Sequence, residues 1–118
     1  MRSRYAQVEP FITRDGSHIR ELMHPGAQGN RNQSLAEATV MPGASTLLHR
    51  HRTTEEIYHF TQGAGVMTLG AERLAVRAGD TVCIPPGVPH RLENTGSEAL
   101  VLLCACAPPY SDADTELL

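Results

Sequence analysis

Glycine and proline interrupt this chain so often that their spacing argues against long helices. Its 118 residues include 10 Gly and 8 Pro, which recur along the chain between short runs of β-forming residues. Runs of this kind, bounded by turn residues, are typical of strands in a barrel or a sandwich. The clearest hairpin joins residues 11–14 to residues 17–22 through Asp15-Gly16, a pair that favours a type I′ turn. The sequence therefore predicts an all-β protein of roughly ten short antiparallel strands.

Charge and hydropathy limit the classes of function. The formal charge of −3 gives no electrostatic reason to expect binding to nucleic acid or to an anionic membrane. No apolar run approaches the ~20 residues of a membrane-spanning helix. Residues 1–10 contain arginines but no hydrophobic segment behind them, unlike a secretory signal. We therefore expect one cytoplasmic domain with reduced cysteines, and neither nucleic acid nor membrane among its partners.

Residues 43–63 place three metal-binding side chains close together in the sequence. His49 and His51 lie two residues apart among β-forming neighbours, and such residues project from the same face of a strand. Glu56 follows five residues later, which is the wrong parity for one unbroken strand, so we expect a bulge or turn in residues 52–55. Neutral imidazole and carboxylate oxygen are common ligands of divalent metals. This stretch therefore predicts one side of a metal site.

A second stretch, residues 79–94, completes a pattern that resembles the cupin family. The first stretch reads Gly-x5-His-x-His-x4-Glu-x6-Gly, and the second reads Gly-x5-Pro-x-Gly-x2-His-x3-Asn, without a departure from the cupin motifs. The matching positions are Gly43, His49, His51, Glu56, Gly63, Gly79, Pro85, Gly87, His90 and Asn94. A lone His-x-His would be a weak signal, whereas ten specified positions at fixed spacing are specific.

The resemblance implies a cupin-type double-stranded β-helix, a closed double-sheet jelly roll, which is one of the architectures that solve the problem of exposed sheet edges. We expect a single domain over residues 1–118, with an N-terminal hairpin and loop region (1–33), a core barrel (34–107) and a tail (108–118). The tail is acidic, and we expect it to pack loosely. Cupin barrels commonly form homodimers, and the outward apolar residues Leu48 and Ile57 give this expectation some support.

The resemblance also implies that four side chains bind one divalent metal ion: His49, His51, Glu56 and His90. Mixed nitrogen and oxygen ligation suits Mn, Fe, Ni or Co with two open positions, and four-coordinate Zn is the remaining choice. Glu55 is expected to face solvent. The alternative is a set of histidines that only form hydrogen bonds in a core. The remaining histidines lack a partner at ligand spacing and suit surface or interface positions; they are His18, His24 and His59.

Strand parity predicts the wall of the pocket around this site. Leu47 shares a face with His49, Leu92 shares one with His90, and Tyr58 and Phe60 share one with Glu56. Similarity to small cupins places Leu102, Cys104 and Cys106 inward, whereas Arg50, Arg52 and Arg91 should point outward. Tyr58 is therefore a candidate general acid or hydrogen-bond donor, and Cys104 a candidate pocket thiol; ordinary core packing is the alternative for both.

Cupins include dioxygenases, sugar-phosphate isomerases, decarboxylases and non-catalytic binding domains. A mostly apolar wall favours an enzyme that acts on a small, metal-chelating organic molecule, and we expect an oxidoreductase of the dioxygenase type. A sugar-phosphate isomerase would need inward basic side chains, which Arg14, Arg20 or Arg31 would have to supply. A non-catalytic module that binds a small molecule stays open as a third reading.

Overall fold

The computed structural model describes residues 1–118, which form eleven strands and only short helical turns. The strands are β1 (Phe11–Ile12), β2 (His18–Met23), β3 (Ser34–Val40), β4 (His49–His51), β5 (Glu55–Gln62), β6 (Ala64–Leu69), β7 (Glu72–Arg77), β8 (Thr81–Ile84), β9 (His90–Glu93), β10 (Leu100–Ala107) and β11 (Thr115–Leu117). The helical elements are α1 (Pro25–Gln28) and two 3₁₀ turns, Tyr5–Gln7 and Asp112–Asp114. None of them has the length and apolar character needed to cross a membrane.

The strands form two antiparallel sheets that enclose one core, which confirms the predicted jelly-roll barrel. One sheet has the order β1-β2-β3-β10-β5-β8, and the other has the order β11-β4-β9-β6-β7. The core joins side chains from both sheets, with Phe60, Leu100 and Leu102 from the first and Met67 and Leu92 from the second. Burial of a side chain such as Phe60 stabilises the fold by about 1.5–3 kcal/mol.

Alternation along β5 determines which side chains reach the interior. Glu56, Tyr58 and Phe60 are buried, whereas Glu55 and Ile57 on the opposite face are exposed, as predicted. The same period of two buries every second residue of β10, which lies between β3 and β5 at the centre of its sheet. A two-residue period is the expected result for a strand with one face toward the core.

Two glycines allow the strands to approach closely where the chain passes from one sheet to the other. Gly63 has a φ of 84°, and a Cβ at this position would lie 2.6 Å from the carbonyl oxygen of Ala99. A Cβ on Gly65 would lie 2.5 Å from the carbonyl oxygen of Glu93. A side chain at either position would collide with backbone, so only glycine fits here.

The turn between β1 and β2 differs from the one predicted. A type I′ turn needs positive φ at both central residues, yet Gly16 (φ 92°) is the only such residue in this turn, since no residue other than glycine has positive φ. The amide of Gly16 donates to the Thr13 carbonyl at 3.0 Å, and the Thr13 amide donates to the Ser17 carbonyl at 3.0 Å. Asp15 therefore keeps an ordinary backbone conformation with negative φ.

The acidic tail is not loosely packed, and that prediction was wrong. Residues 115–117 form β11, which pairs with β4 in the register Thr115 to His51. The carboxylate of Asp114 accepts hydrogen bonds from the amides of Thr53 and Thr54 at 3.0 and 3.1 Å. The acidic composition indicated solvation, but backbone pairing and this carboxylate attach the tail to the strand that carries two of the predicted metal ligands.

The strand that carries His49 and His51 is short, with β4 limited to His49–His51, so Leu47 precedes it. The Leu47 amide donates to the carbonyl of Asp15 at 2.8 Å, which places it outside the sheet pairing. Its side chain is 54% exposed, so the predicted place of Leu47 in the pocket wall was also wrong. Strand parity fails here because the residue precedes the strand.

Candidate metal centre

Three imidazoles converge inside the barrel. His49 and His51 lie on β4, and His90 begins β9, where it pairs directly with His49. One ring nitrogen from each lies within 4.8 Å of the other two. All three side chains are buried, and His90 is fully inaccessible. The parity argument for His49 and His51 therefore holds, and the proline-rich approach after β8 places His90 beside them.

Backbone carbonyl groups fix the orientation of two of these rings. His49 Nδ1 lies 2.8 Å from the Leu47 carbonyl oxygen, and His90 Nδ1 lies 2.9 Å from the Val88 carbonyl oxygen. A carbonyl oxygen only accepts, so each Nδ1 carries the proton that it donates. In the neutral ring the other nitrogen, Nε2, then has a free lone pair. Such a second contact to a histidine is typical of metal ligands.

The tail fixes the third ring in the same way. His51 Nδ1 lies 3.0 Å from the Thr115 hydroxyl oxygen, and that hydroxyl donates its own proton to the Ser111 carbonyl at 2.9 Å. Thr115 is therefore the acceptor, and His51 Nδ1 carries the proton. All three imidazoles thus have an unprotonated Nε2 when they are neutral, which is the form that binds a metal.

Glu56 shows that this arrangement fits a cation. Its Oε1 atom lies 3.1 Å from His51 Nε2 and 3.5 Å from His90 Nε2. A lone pair and a carboxylate oxygen repel each other at this separation unless a positive charge lies between them, either a proton or a metal ion. His90 Nε2 is buried without a hydrogen-bond partner. An orphaned buried nitrogen facing a carboxylate suits a divalent ion as its missing partner.

Electrostatics keep these donors in the form that a metal needs. Burial alone would raise the pKa of Glu56, but the close contacts of its carboxylate with the His51 and His90 rings outweigh burial and lower that pKa to about 2. The pKa of His49 is lowered from its usual value, chiefly by burial and then by repulsion from His90. Near neutral pH the site therefore offers a carboxylate and a neutral imidazole.

Cys106 holds the second oxygen of Glu56. The Cys106 thiol donates to Oε2 at 3.2 Å, while Oε1 faces the imidazoles. Burial and the adjacent carboxylate both raise the pKa of Cys106, so the sulfur stays protonated and remains a donor. The thiol therefore orients Glu56 so that only one carboxylate oxygen faces the centre.

Tyr58 and Cys104 both line the cavity above the centre, as strand parity and the family resemblance predicted. The cavity has a volume of about 60 Å³. Burial and the charge of Glu56 raise the pKa values of Tyr58 and Cys104 well above their usual range. Both groups are therefore protonated near neutral pH, which suits a hydrogen-bond donor rather than a base or a thiolate nucleophile. Their catalytic roles stay predictions.

No arginine or lysine lines this cavity. Arg50 and Arg52 point outward, as predicted, and form ion pairs with Glu116 at 3.3 and 2.7 Å. Arg14 donates to the carbonyls of Asp112 and Thr115 in the tail. Arg20 donates to the carbonyls of Tyr5 and Val8 and stacks on the Tyr5 ring. Arg14 and Arg20, two of the arginines considered for a phosphate site, therefore serve other contacts.

Two residues of the site had no signal in the motifs. Asp15 lines the cavity, with Oδ2 3.7 Å from His49 Nε2, and Thr115 supports His51. Asp-Gly indicated only a turn, and the tail indicated only solvent exposure. Of the other histidines, His24 caps α1 and contacts the Tyr110 carbonyl, and His59 pairs with the Thr81 hydroxyl on the surface.

Comparison with known proteins agrees with this geometry. The cupin domain family matches residues 36–106. An uncharacterized protein of Methanocaldococcus jannaschii is 51% identical over 118 residues, covering 100% of this chain and 94% of that protein. Bacillus subtilis oxalate decarboxylase OxdC is 37% identical over 105 residues, covering 85% of this chain but only 27% of OxdC. A crystal structure of a predicted oxalate decarboxylase from Thermotoga maritima superposes with a TM-score of 0.80 at 26% identity, covering 92% of this chain and 99% of that one. The chain therefore belongs to the cupin family.

Proposed function

We propose that this cupin binds one divalent transition metal through His49, His51, Glu56 and His90, and acts on a small, metal-chelating organic molecule as a dioxygenase-type oxidoreductase. One observation carries the proposal: three Nε2 atoms and one carboxylate oxygen converge beside one cavity, and one of those nitrogens is otherwise orphaned. The four groups carry one negative charge, so a divalent ion gives the centre a net charge of +1. Mn, Fe, Ni, Co and Zn all suit this donor set.

The cavity wall supports a substrate without a strong negative charge. Its apolar part includes Phe11, Ile19 and Ala38, and its charged part, besides Glu56, consists of Asp15 and Glu21. A phosphate group or a dicarboxylate is usually bound by arginine or lysine, which the wall lacks. A neutral or weakly acidic chelator does not need a basic side chain to bind it. The small volume of the cavity restricts such a molecule to a few non-hydrogen atoms.

The chain's own residues hold, orient and enclose the substrate. A redox-active ion bound here would polarise the chelating oxygens of the substrate and supply the chemistry of O₂ activation. Tyr58 donates its proton in a hydrogen bond to a developing oxygen anion, and it stays protonated because burial and Glu56 raise its pKa. The Cys104 thiol and the apolar wall exclude water from the reacting atoms.

Decarboxylation of a small carboxylic acid is the second candidate, because OxdC of Bacillus subtilis and the Thermotoga maritima protein are similar to this chain. The absence of a basic side chain from the wall counts against it. The same absence counts against a sugar-phosphate isomerase. A non-catalytic cupin that only binds a small molecule would use the same metal site without turnover.

The test uses protein loaded with Fe(II) or Mn(II), with metal content measured on each sample. We expect oxygen consumption with at least one of a β-diketone, a catechol and a thiol, and its loss in His51→Ala. Formate and CO₂ from oxalate without oxygen consumption would favour the decarboxylase instead. Binding without turnover of any probe would reduce the proposal to a binding module, and absence of stoichiometric metal would remove its basis.

We also propose a homodimer, supported by an apolar row on the outer face of the six-stranded sheet. Leu35, Ala105, Ile57 and Cys83 are aligned across β3, β10, β5 and β8 by the strand register. Leu35 is 38% exposed and Ile57 is 40% exposed. Light scattering after gel filtration is expected to give twice the chain mass, and Ile57→Glu is expected to give the monomer mass. A monomeric wild-type protein would end this proposal.

A further inference from the structure

The hairpin of β1 and β2 holds one carboxylate oxygen of Asp15 free beside the candidate metal centre. Asp15 Oδ1 accepts three hydrogen bonds: from the Thr13 hydroxyl at 2.5 Å, the Ser17 amide at 2.9 Å and the Ser17 hydroxyl at 2.7 Å. Oδ2 accepts none of them and lies 3.7 Å from His49 Nε2, the nitrogen that faces the centre. One oxygen therefore anchors the carboxylate and the other faces the site.

The placement of this carboxylate is fixed from two directions. Its side chain is 17% exposed and forms a turn with the backbone two residues later, a common role of aspartate. Its own carbonyl accepts from the amide of Leu47 at 2.8 Å, which attaches the hairpin to the segment just before β4. The hairpin and the strand that carries His49 and His51 are thus held together at Asp15.

We infer that Asp15 is a ligand-binding residue whose Oδ2 accepts a hydrogen bond from the molecule bound at the centre. This inference rests on the proposed function, because it needs a ligand next to His49. A free carboxylate oxygen can only accept, and no arginine or lysine lines the cavity to donate to it. A donor group on the bound ligand would supply this hydrogen bond.

This contact defines the class of ligand. Two features of a molecule would satisfy both the centre and Asp15. It would chelate the metal through two adjacent oxygens, and it would have a hydrogen-bond donor there, either because one of these oxygens is a hydroxyl or because an amino group lies beside them. A dicarboxylate would instead place an anionic oxygen near Oδ2, and Glu21 in the same wall adds a second repulsive charge. We therefore assign the site to small uncharged chelators with a hydrogen-bond donor, such as α-hydroxyketones.

The test compares two probes that differ in the donor and in the methyl group that blocks it. Hydroxyacetone has the hydroxyl, and methoxyacetone has the same two oxygens with that hydroxyl methylated. Binding to Mn(II)-loaded protein is measured from paramagnetic broadening of the ligand NMR signals. We expect wild-type protein to bind hydroxyacetone about tenfold more tightly, the value of one hydrogen bond to a charged group. Oxalate is expected to bind weakly.

The matched variants are Asp15→Asn and Glu72→Gln. Asparagine keeps the acceptor that Thr13 and Ser17 use but replaces Oδ2 by a donor, so the affinity ratio should fall to about one and oxalate should bind more tightly. Glu72 is exposed on β7, away from the cavity, and its variant should keep the wild-type ratio. Asp15→Ser, whose hydroxyl can accept from the Ser17 amide, replaces the asparagine variant if that one does not fold.

The outcomes separate the two proposals. Wild-type protein without stoichiometric manganese contradicts the proposed function itself. Metal-loaded wild-type protein with a ratio near one contradicts the Asp15 inference alone. A folded, metal-loaded Asp15 variant that keeps the tenfold ratio also contradicts the Asp15 inference. The preference for hydroxyacetone would then come from the extra methyl group of methoxyacetone rather than from the carboxylate.

Discussion

Replacement of Thr115 by valine tests whether the C-terminal strand is part of the metal centre. The Thr115 hydroxyl accepts the proton of His51 Nδ1 at 3.0 Å, and both side chains are buried, at 6% and 4% exposure. Valine has the same shape but no acceptor, so the donor on His51 would be left unpaired or the ring would rotate. An unpaired buried donor costs about 1–3 kcal/mol, and loss of such a second contact typically reduces metal affinity by about 10–100-fold.

The assay is a competition between the protein and a chromophoric chelator for Mn(II) or Zn(II). Thr115→Val is expected to raise the metal dissociation constant about tenfold or more, whereas Thr115→Ser, which keeps the hydroxyl, should remain near the wild-type value. Thermal unfolding of the metal-free proteins measures how much of the change is structural. Equal dissociation constants for the valine and serine variants would refute the assigned role of Thr115.

Three further predictions follow from the site. His90→Ala should lower bound metal to below roughly a tenth of the wild-type amount with a milder loss of fold; stoichiometric metal in this variant would count against the ligand set. In the Ile57→Glu variant, whose outer sheet face is not covered by a partner, only Cys83 should react rapidly with a thiol reagent, because Cys83 is exposed and burial raises the pKa values of Cys104 and Cys106; three equally fast thiols would contradict this burial. The pKa of Glu56 falls from 4.5 in the unfolded chain to about 2 in the folded chain. The ionised carboxylate therefore adds to the free energy of unfolding above pH 4.5, and this stabilisation is lost as the pH falls toward 2. Denaturant unfolding of the metal-free protein should therefore lose on the order of 3 kcal/mol across that range, and a pH-independent free energy would disprove the coupling.

Local patterns predicted the strands of the barrel well. The short strands β8 (Thr81–Ile84) and β9 (His90–Glu93) both lie between turn residues, which is the pattern that predicted an all-β protein. The two-residue period placed Glu56, Tyr58 and Phe60 inward in β5. Convergence of the three imidazoles followed from the family resemblance, since no local rule brings His90 next to His49.

The parts that the sequence did not reveal depend on contacts between distant segments. Asp15 reaches the cavity because its hairpin is attached to the segment before β4, and Thr115 reaches His51 because the tail becomes an edge strand. Both residues belong to polar segments whose composition indicates turns or solvent exposure. The prediction for Leu47 was wrong in the opposite direction: this apolar residue was expected to face the cavity, but it lies outside the strand and is exposed.

The central claim is that four side chains from two separate segments bind a single cation. The most direct measurement is a crystal structure of the manganese-loaded protein with anomalous scattering data. We predict one anomalous peak per chain, within bonding distance of Nε2 of His49, His51 and His90 and of Oε1 of Glu56. A peak elsewhere on the chain, or an ordered cavity without one in protein that retains manganese, would contradict the account.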